Sequence, residues 1–136
     1  MGKVEVSDLL GKPFVMGGRG QVGYDCYGLC LEVAKRAGIK LMPEESVEDL
    51  SLRSKIIDDR KALYEKLDKP EPFCLVTFKI RPPFVTHIGV VLADCKHFIH
   101  IMRKRSVAIE RLDLPAWKRR LDGFYRFANN KNMESV

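Results

Sequence analysis

The sequence predicts an α+β domain, with helices in its first half and an antiparallel sheet in its second half. Two observations support this order. Apolar residues recur at helical spacing between residues 25 and 67, and from Phe73 onward they form short, nearly continuous runs separated by turns. A chain of 136 residues that is 46% hydrophobic can bury one core. We therefore expect N-terminal helices packed on an antiparallel sheet of about five strands.

The predicted helices lie on either side of residue 40. Residues 4–10 are predicted as a short helix or an arm, and a glycine-rich stretch follows them. The main helix is predicted at residues 25–37, because Asp25 is a good N-cap and Gly38 can end the helix. A second helix is predicted from about residue 46 to residue 67. We expect it to cover one edge of the core, with the wall of a substrate groove as the alternative.

The second half of the chain is predicted to form the sheet. Strands are expected at residues 74–80, 86–92, 97–102, 106–112 and 123–127, with a short helix at 115–121. The second and third of these strands are joined by a short turn and should pair as a hairpin. We assign residues 1–128 to a single domain and expect residues 129–136 to be a disordered tail.

The composition of the chain indicates the compartment in which it is made and the partners it can bind. We find no signal-peptide pattern and no apolar run of membrane-spanning length, so the chain is expected to be made in the cytoplasm. The four cysteines show no C-x-x-C spacing and are expected to be reduced. Basic runs at 103–105 and 118–120 contribute to a net charge of +6. We interpret them as solvated faces and expect no nucleic-acid partner, since no aromatic stacking pattern accompanies them.

Cys26 is the candidate nucleophile because it stands where a loop becomes the main helix. The positive end of the helix dipole should lower the pKa of a thiol in the first turn and favour the reactive thiolate. The alternative is a small buried hydrophobic side chain, which is the commoner role of such a cysteine. A histidine brought to Cys26 by the fold would favour catalysis.

Hairpin parity places two histidines together. If the turn has two or four residues, the residue numbers of two paired positions add up to an odd number. An odd-numbered residue of the first strand then shares a face with the even-numbered residues of the second, so His87 and His100 share one face and His97 points to the other. We expect His87 and His100 to lie opposite each other or one diagonal step apart. They could form a satisfied core pair. If the main helix packs on their face, however, Cys26 can reach His87, and His100 would orient that ring.

Such a site performs acyl transfer. Cys26 would attack an amide carbonyl, His87 would move the proton to the leaving amine, and water would release the thioester. Backbone N–H groups at the start of the helix would stabilise the oxyanion. We expect no metal or organic cofactor. A zinc site formed by Cys26, His87 and His100 is the weaker alternative.

Several motifs, in the same order along the chain, resemble the NlpC-type cysteine peptidases of bacterial cell walls. They are the glycine-rich lead-in at 13–18, the nucleophile motif at 25–29, the base strand at 86–90, the third-residue strand at 98–100 and the closing segment at 123–126. The resemblance covers about residues 10–127 and implies a papain-like fold. It also implies a Cys26, His87, His100 triad that cleaves the stem peptides of peptidoglycan.

The resemblance also suggests which residues line the substrate site and where the enzyme acts. Tyr24, Tyr27, Gly17, Gly18 and Phe14 are expected to line the substrate site. Phe14 stands where many members have tyrosine, and Tyr27 replaces a commoner serine. The aromatic residue after the nucleophile, the strand at 109–112 and the tryptophan helix resemble the phage and prophage branch. They imply association with phage tail proteins and a virion setting, from which the enzyme would act on the cell wall.

Two other classes of function remain open. The fold could serve as a tail-assembly or binding module without turnover, although an intact Cys26, His87 and His100 argue against this. The same three residues could also perform intracellular amide hydrolysis or acyl transfer on a substrate outside the wall.

Overall fold

A computed structural model describes residues 4–41, 50–61 and 63–127. A 3₁₀ turn at Ser7–Leu9 precedes the α-helices α1 (Cys26–Arg36), α2 (Leu50–Lys61) and α3 (Pro115–Arg120). The strands are β1 (Tyr64–Leu67), β2 (Leu75–Phe78), β3 (His87–Val91), β4 (His97–His100), β5 (Ala108–Arg111) and β6 (Leu121–Phe127). Within the described residues these strands form one antiparallel sheet in the order β1-β6-β2-β3-β4-β5.

The structure confirms the α+β class and corrects the end of the second predicted helix. The predicted helix at 46–67 was wrong for its last four residues, because Tyr64–Leu67 is strand β1 and pairs with β6. The Glu65 carboxylate lies 2.7 Å from the Arg126 guanidinium of the facing strand. The sheet therefore has six strands rather than about five. Residues 46–49 and the predicted tail at 129–136 lie outside the described residues.

The main helix forms where the sequence predicted it. The Asp25 side chain caps α1 by accepting a hydrogen bond of 2.7 Å from the Gly28 backbone N–H. Ala37 is the C-cap, and Gly38 follows with a φ of +77° that suits glycine. A side-chain cap of this kind stabilises a helix by about 1 kcal/mol. The start of α1 is thus held firmly at Cys26.

The two faces of the sheet are covered differently, since alternate residues of a strand point to opposite sides. On one face, Leu29 and Val33 of α1 pack with Ile88, Val90 and Ile99. On the opposite face, the Trp117 side chain of α3 packs against Phe78 and Phe98. The sheet thus lies between α1 and α3.

No helix in the described ranges has the length and apolar character needed to cross a lipid bilayer.

Candidate active site

The glycine-rich lead-in is built against the start of α1. The Gly17 N–H donates to Asp25 at 3.0 Å, and the Arg19 guanidinium donates to the other carboxylate oxygen at 3.0 Å. A Cβ on Gly28 would stand 2.0 Å from the Gly18 carbonyl oxygen, so only glycine permits this approach. Asp25 is therefore a cap that anchors the lead-in, and Gly28 provides packing clearance.

His87 and His100 form a buried, hydrogen-bonded pair. His87 Nε2 lies 2.8 Å from His100 Nδ1, and the two side chains are nearly inaccessible to solvent. Val90 pairs with Ile99 in the hairpin, so His87 and His100 are diagonal neighbours. This confirms that the two rings share a face.

The histidine pair and the body of α1 lie on opposite faces of the sheet. Helix α1 packs on the side of Ile88 and Val90, whereas His87 and His100 lie on the other side with Phe78 and Trp117. The body of α1 therefore does not meet the condition stated for contact between Cys26 and His87, which is that the main helix packs on the histidine face, because Ile88 rather than His87 points toward α1. The start of α1 meets the start of β3, where the Ile88 backbone N–H acts on the Cys26 thiol.

Cys26 lies at this junction, packed on the cluster that contains Ile88. The backbone N–H groups of Ile88 and Tyr27 and the positive charge of Arg53 act to lower the pKa of its thiol. The charge of Arg53 also acts on His87. Among the hydrogen bonds of the described residues, none joins the Cys26 sulfur to the His87 ring. Such contacts often tighten only when substrate binds.

Burial dominates the electrostatics of both groups. It raises the pKa of the Cys26 thiol from 9.0 to about 11, and the negative charge of Asp25 adds to the rise. Burial also holds the pKa of His87 well below 6.5, helped by the neighbouring His100 and Arg53. The expected lowering of the thiol pKa by the helix dipole is therefore outweighed. At neutral pH the resting site holds a thiol and a neutral imidazole.

Glu110 also belongs to this group, although its sequence context did not predict it. Its carboxylate lies 2.5 Å from His100 Nε2 and accepts a 3.1 Å hydrogen bond from the Trp117 indole N–H. A second application of hairpin parity could have found it, because Phe98 pairs with Glu110 in the β4–β5 hairpin and His100 is diagonal to it. The site thus continues as His87, His100, Glu110 and Trp117.

The residues expected to line a substrate site are placed around the start of α1. Phe14 bridges to Tyr24, and both pack into the core cluster, where Tyr24 is 6% exposed. Tyr27 is partly buried against the same cluster. Gly17 and Gly18 form the turn beside the Asp25 carboxylate.

Basic side chains border the end of the sheet where the histidines lie. Arg103, Lys104 and Arg105 are exposed in the turn after β4, and Lys79 follows β2 at the position where Phe78 pairs with His87. The Lys79 backbone N–H donates to the carbonyl of Arg120 at the end of α3. This end of the sheet is about 19 Å wide from β6 to β5, because five neighbouring strands are separated by four interstrand spacings. The two basic runs therefore flank the histidine pair.

Both ring nitrogens of His100 are hydrogen-bonded to protein groups, which leaves neither for a metal. Within the part of the chain that the structure describes, no three His, Cys, Asp or Glu side chains are grouped as metal ligands.

The two buried histidines and the partly buried Cys26 thiol predict the pH range in which the fold is most stable. Since the pKa values of His87 and His100 are lowered from 6.5 in the folded state, the unfolded state binds more protons below that pH. We expect the free energy of unfolding to fall with decreasing pH by up to about 1.4 kcal/mol per pH unit for each histidine. The raised pKa of Cys26 has the opposite sign, so stability should also fall as the pH rises above 9.0.

Chemical denaturation across this range measures the effect. Maximum stability is expected between about pH 6.5 and about pH 9, and His100→Gln should reduce the acid slope. An unchanged free energy between pH 7 and pH 5 would contradict burial of the neutral rings.

Comparisons with known proteins agree with this architecture. The sequence model of the NlpC/P60 family matches residues 11–126. An NlpC/P60 family protein from Bacillus cereus ATCC 10987 is 25% identical with a TM-score of 0.63, covering 88% of this chain and 36% of that chain. NlpC1 from Trichomonas vaginalis is 20% identical with a TM-score of 0.65, covering 88% and 40% respectively.

A third structure is that of a protein from Staphylococcus aureus subsp. aureus Mu50, described as similar to a lipoprotein of the NLP/P60 family. It is 22% identical with a TM-score of 0.60, covering 88% of this chain and 38% of that chain. The chain thus spans about two fifths of the length of these structures. No curated protein matches its sequence.

Proposed function

Since the chain belongs to the NlpC/P60 family, we propose that it is a cysteine peptidase that hydrolyses amide bonds in the stem peptides of peptidoglycan. The observation that carries the proposal is the buried pair of His87 and His100, 2.8 Å apart, at the end of the sheet that meets the start of α1. Cys26 is the proposed nucleophile, His87 the proposed base and His100 the group that orients it.

The neutral resting site determines how the proposed reaction begins. With the pKa of Cys26 raised to about 11, the thiol loses its proton to His87 as the sulfur attacks the carbonyl carbon. The new S–C bond forms a tetrahedral intermediate, and the imidazolium then gives its proton to the departing amine as the C–N bond breaks. Water attacks the resulting thioester and releases a carboxylic acid and the Cys26 thiol.

The oxyanion of this intermediate needs donors near the sulfur. The Gly28 N–H is already used by the Asp25 cap. The N–H of Cys26 itself, at the positive end of the α1 dipole, is the proposed donor. Arg53 acts on both reacting side chains from α2 and lowers the cost of negative charge on the sulfur.

The charge around the site supports an acidic substrate. The exposed side chains of Arg103, Lys104 and Arg105 and the end of α3 border the histidine pair. Stem peptides carry free carboxylates, which such a border attracts from solution. This arrangement favours a wall peptide over a neutral amide as substrate.

We extend the proposal to association with a phage tail. The likeness of Tyr27, the strand containing Glu110 and the helix containing Trp117 to the phage and prophage branch supports this setting. The genomic neighbourhood tests it, and tail genes beside this gene are the expected result. Neighbours of unrelated function would count against a tail setting.

Product analysis tests the activity. Purified protein is incubated with muropeptides, and mass spectrometry follows the products. Two fragments are expected whose masses sum to the substrate plus one water. Binding of muropeptides or of a tail protein without fragments would favour the binding-module alternative. Cleavage of simple amides with intact muropeptides would favour hydrolysis of a substrate outside the wall.

A further inference from the structure

Glu110 closes a hydrogen-bonded chain in which the direction of every bond can be assigned. An indole N–H only donates, so one oxygen of Glu110 accepts from Trp117 at 3.1 Å. An ionised carboxylate only accepts, so its other oxygen, 2.5 Å from His100 Nε2, requires a proton on that nitrogen. Glu110 therefore determines which nitrogen of His100 carries hydrogen.

The assignment passes from His100 to His87. A neutral His100 protonated on Nε2 has its lone pair on Nδ1, and that nitrogen lies 2.8 Å from His87 Nε2. His87 Nε2 must then be the donor, which leaves the lone pair of a neutral His87 on Nδ1. Burial holds both rings neutral, since it lowers the pKa of each below its ordinary value.

We propose that Glu110 is a positioning residue that sets both histidines in their Nε2–H forms and so makes His87 Nδ1 the base for the Cys26 thiol. This inference rests on the proposed function for its catalytic meaning, but the proton positions follow from the hydrogen bonds between two neutral rings and an ionised carboxylate. When His87 receives the thiol proton, its positive charge is stabilised through His100 by the Glu110 carboxylate.

Charged groups on other described elements also act on this site. Arg53 faces Cys26 and His87 from α2, and the Asp25 carboxylate acts on Cys26 at the start of α1. On the α3 side, the His87 and His100 rings contact the uncharged Trp117 ring. The Glu110 carboxylate is hydrogen-bonded to His100 and, through that ring, to His87.

Trp117 makes the proposal sharply testable. In Glu110→Gln the indole N–H fixes the amide oxygen toward Trp117, which turns the amide NH₂ toward His100 Nε2. That nitrogen must then accept, and both rings change to their Nδ1–H forms. His87 Nδ1 then carries a proton and cannot take another from the thiol.

Adding Trp117→Phe removes the indole donor. The amide is then free to turn its oxygen toward His100 and restore the original proton positions. The double variant is therefore expected to be more active than Glu110→Gln alone. If Glu110 contributed only to stability, the double variant would be less active than Glu110→Gln, because it loses the contacts of both side chains.

The experiment combines NMR with kinetics. Two-bond ¹H–¹⁵N correlations of histidine-labelled protein near neutral pH report the ring tautomers. We expect Nε2–H forms for His87 and His100 in the wild type and Nδ1–H forms in Glu110→Gln. The kcat for muropeptides should fall at least about 100-fold, with KM nearly unchanged and partial recovery in the double variant.

Glu65→Gln is the matched control, because it makes the same chemical change on β1 in an exposed ion pair with Arg126. It should leave both tautomers and kcat as in the wild type. Rings that keep Nε2–H forms in Glu110→Gln would overturn the proposal. If the wild type cleaves no muropeptide, the proposed function fails, while the tautomers still decide whether Glu110 orders the histidines.

Discussion

Replacing Cys26 by alanine is expected to abolish muropeptide hydrolysis, lowering kcat/KM by at least about 10⁴-fold. The reason is that the proposed reaction passes through a bond to the Cys26 sulfur, and alanine offers no nucleophile. The measurement is the initial rate of fragment formation under identical conditions. Because the Asp25 cap on the Gly28 N–H is independent of this side chain, α1 should still form.

Cys30 provides the matched control one turn further along the same helix. It is fully buried in the core, and the proposed mechanism gives it no role. Cys30→Ala should lower the free energy of unfolding by about 1 kcal/mol and leave the rate within a few-fold. Equal loss of activity in both variants would mean that the packing of α1, rather than the Cys26 thiol, limits the reaction. Full activity in Cys26→Ala would exclude this cysteine as nucleophile.

Loss of His87 is expected to have the second largest effect. His87→Ala should lower kcat/KM by about 10³-fold, since no other group in the proposed mechanism takes the thiol proton. Because burial raises the pKa of the Cys26 thiol to about 11, little thiolate forms at neutral pH without a base. The rate of the variant should therefore rise with pH up to about 11, whereas the wild type should be near its maximum at neutral pH.

His87 is buried, so a second substitution separates chemistry from folding. His87→Gln retains most of the volume and should lose activity to a similar extent. His97→Ala is the control on the neighbouring strand, because that ring is partly exposed and bonded to Asp94. It should change kcat/KM by less than about twofold. A neutral-pH optimum that survives in both His87 variants would contradict the assignment of the base.

Local patterns predicted the start of the site well. The Asp25 cap, the helix that follows and the Gly38 end depend on neighbouring residues, so their signals stand in the sequence. The diagonal pairing of His87 and His100 followed from the two-residue period of strands and the parity of one short turn. These are short-range rules that tertiary context did not change.

Long-range contacts explain what was missed. Tyr64 and Leu67 continue the helical spacing of the preceding segment, and only their pairing with β6, some 60 residues later in the chain, makes them a strand. The raised pKa of Cys26 depends on how the surrounding chain desolvates its partly buried thiol, and that desolvation outweighs the helix dipole. The role of Glu110 needed the register of a second hairpin.

Trapping of the acyl-enzyme tests the central claim most directly. Protein mixed with muropeptide is quenched in acid within the first turnovers, and peptide mapping by mass spectrometry locates any covalent adduct. A thioester on Cys26 that carries the N-terminal fragment of the substrate, and disappears when substrate is exhausted, is the expected result. Turnover of muropeptides with Cys26 unmodified throughout, or an adduct on Cys30 instead, would contradict the account.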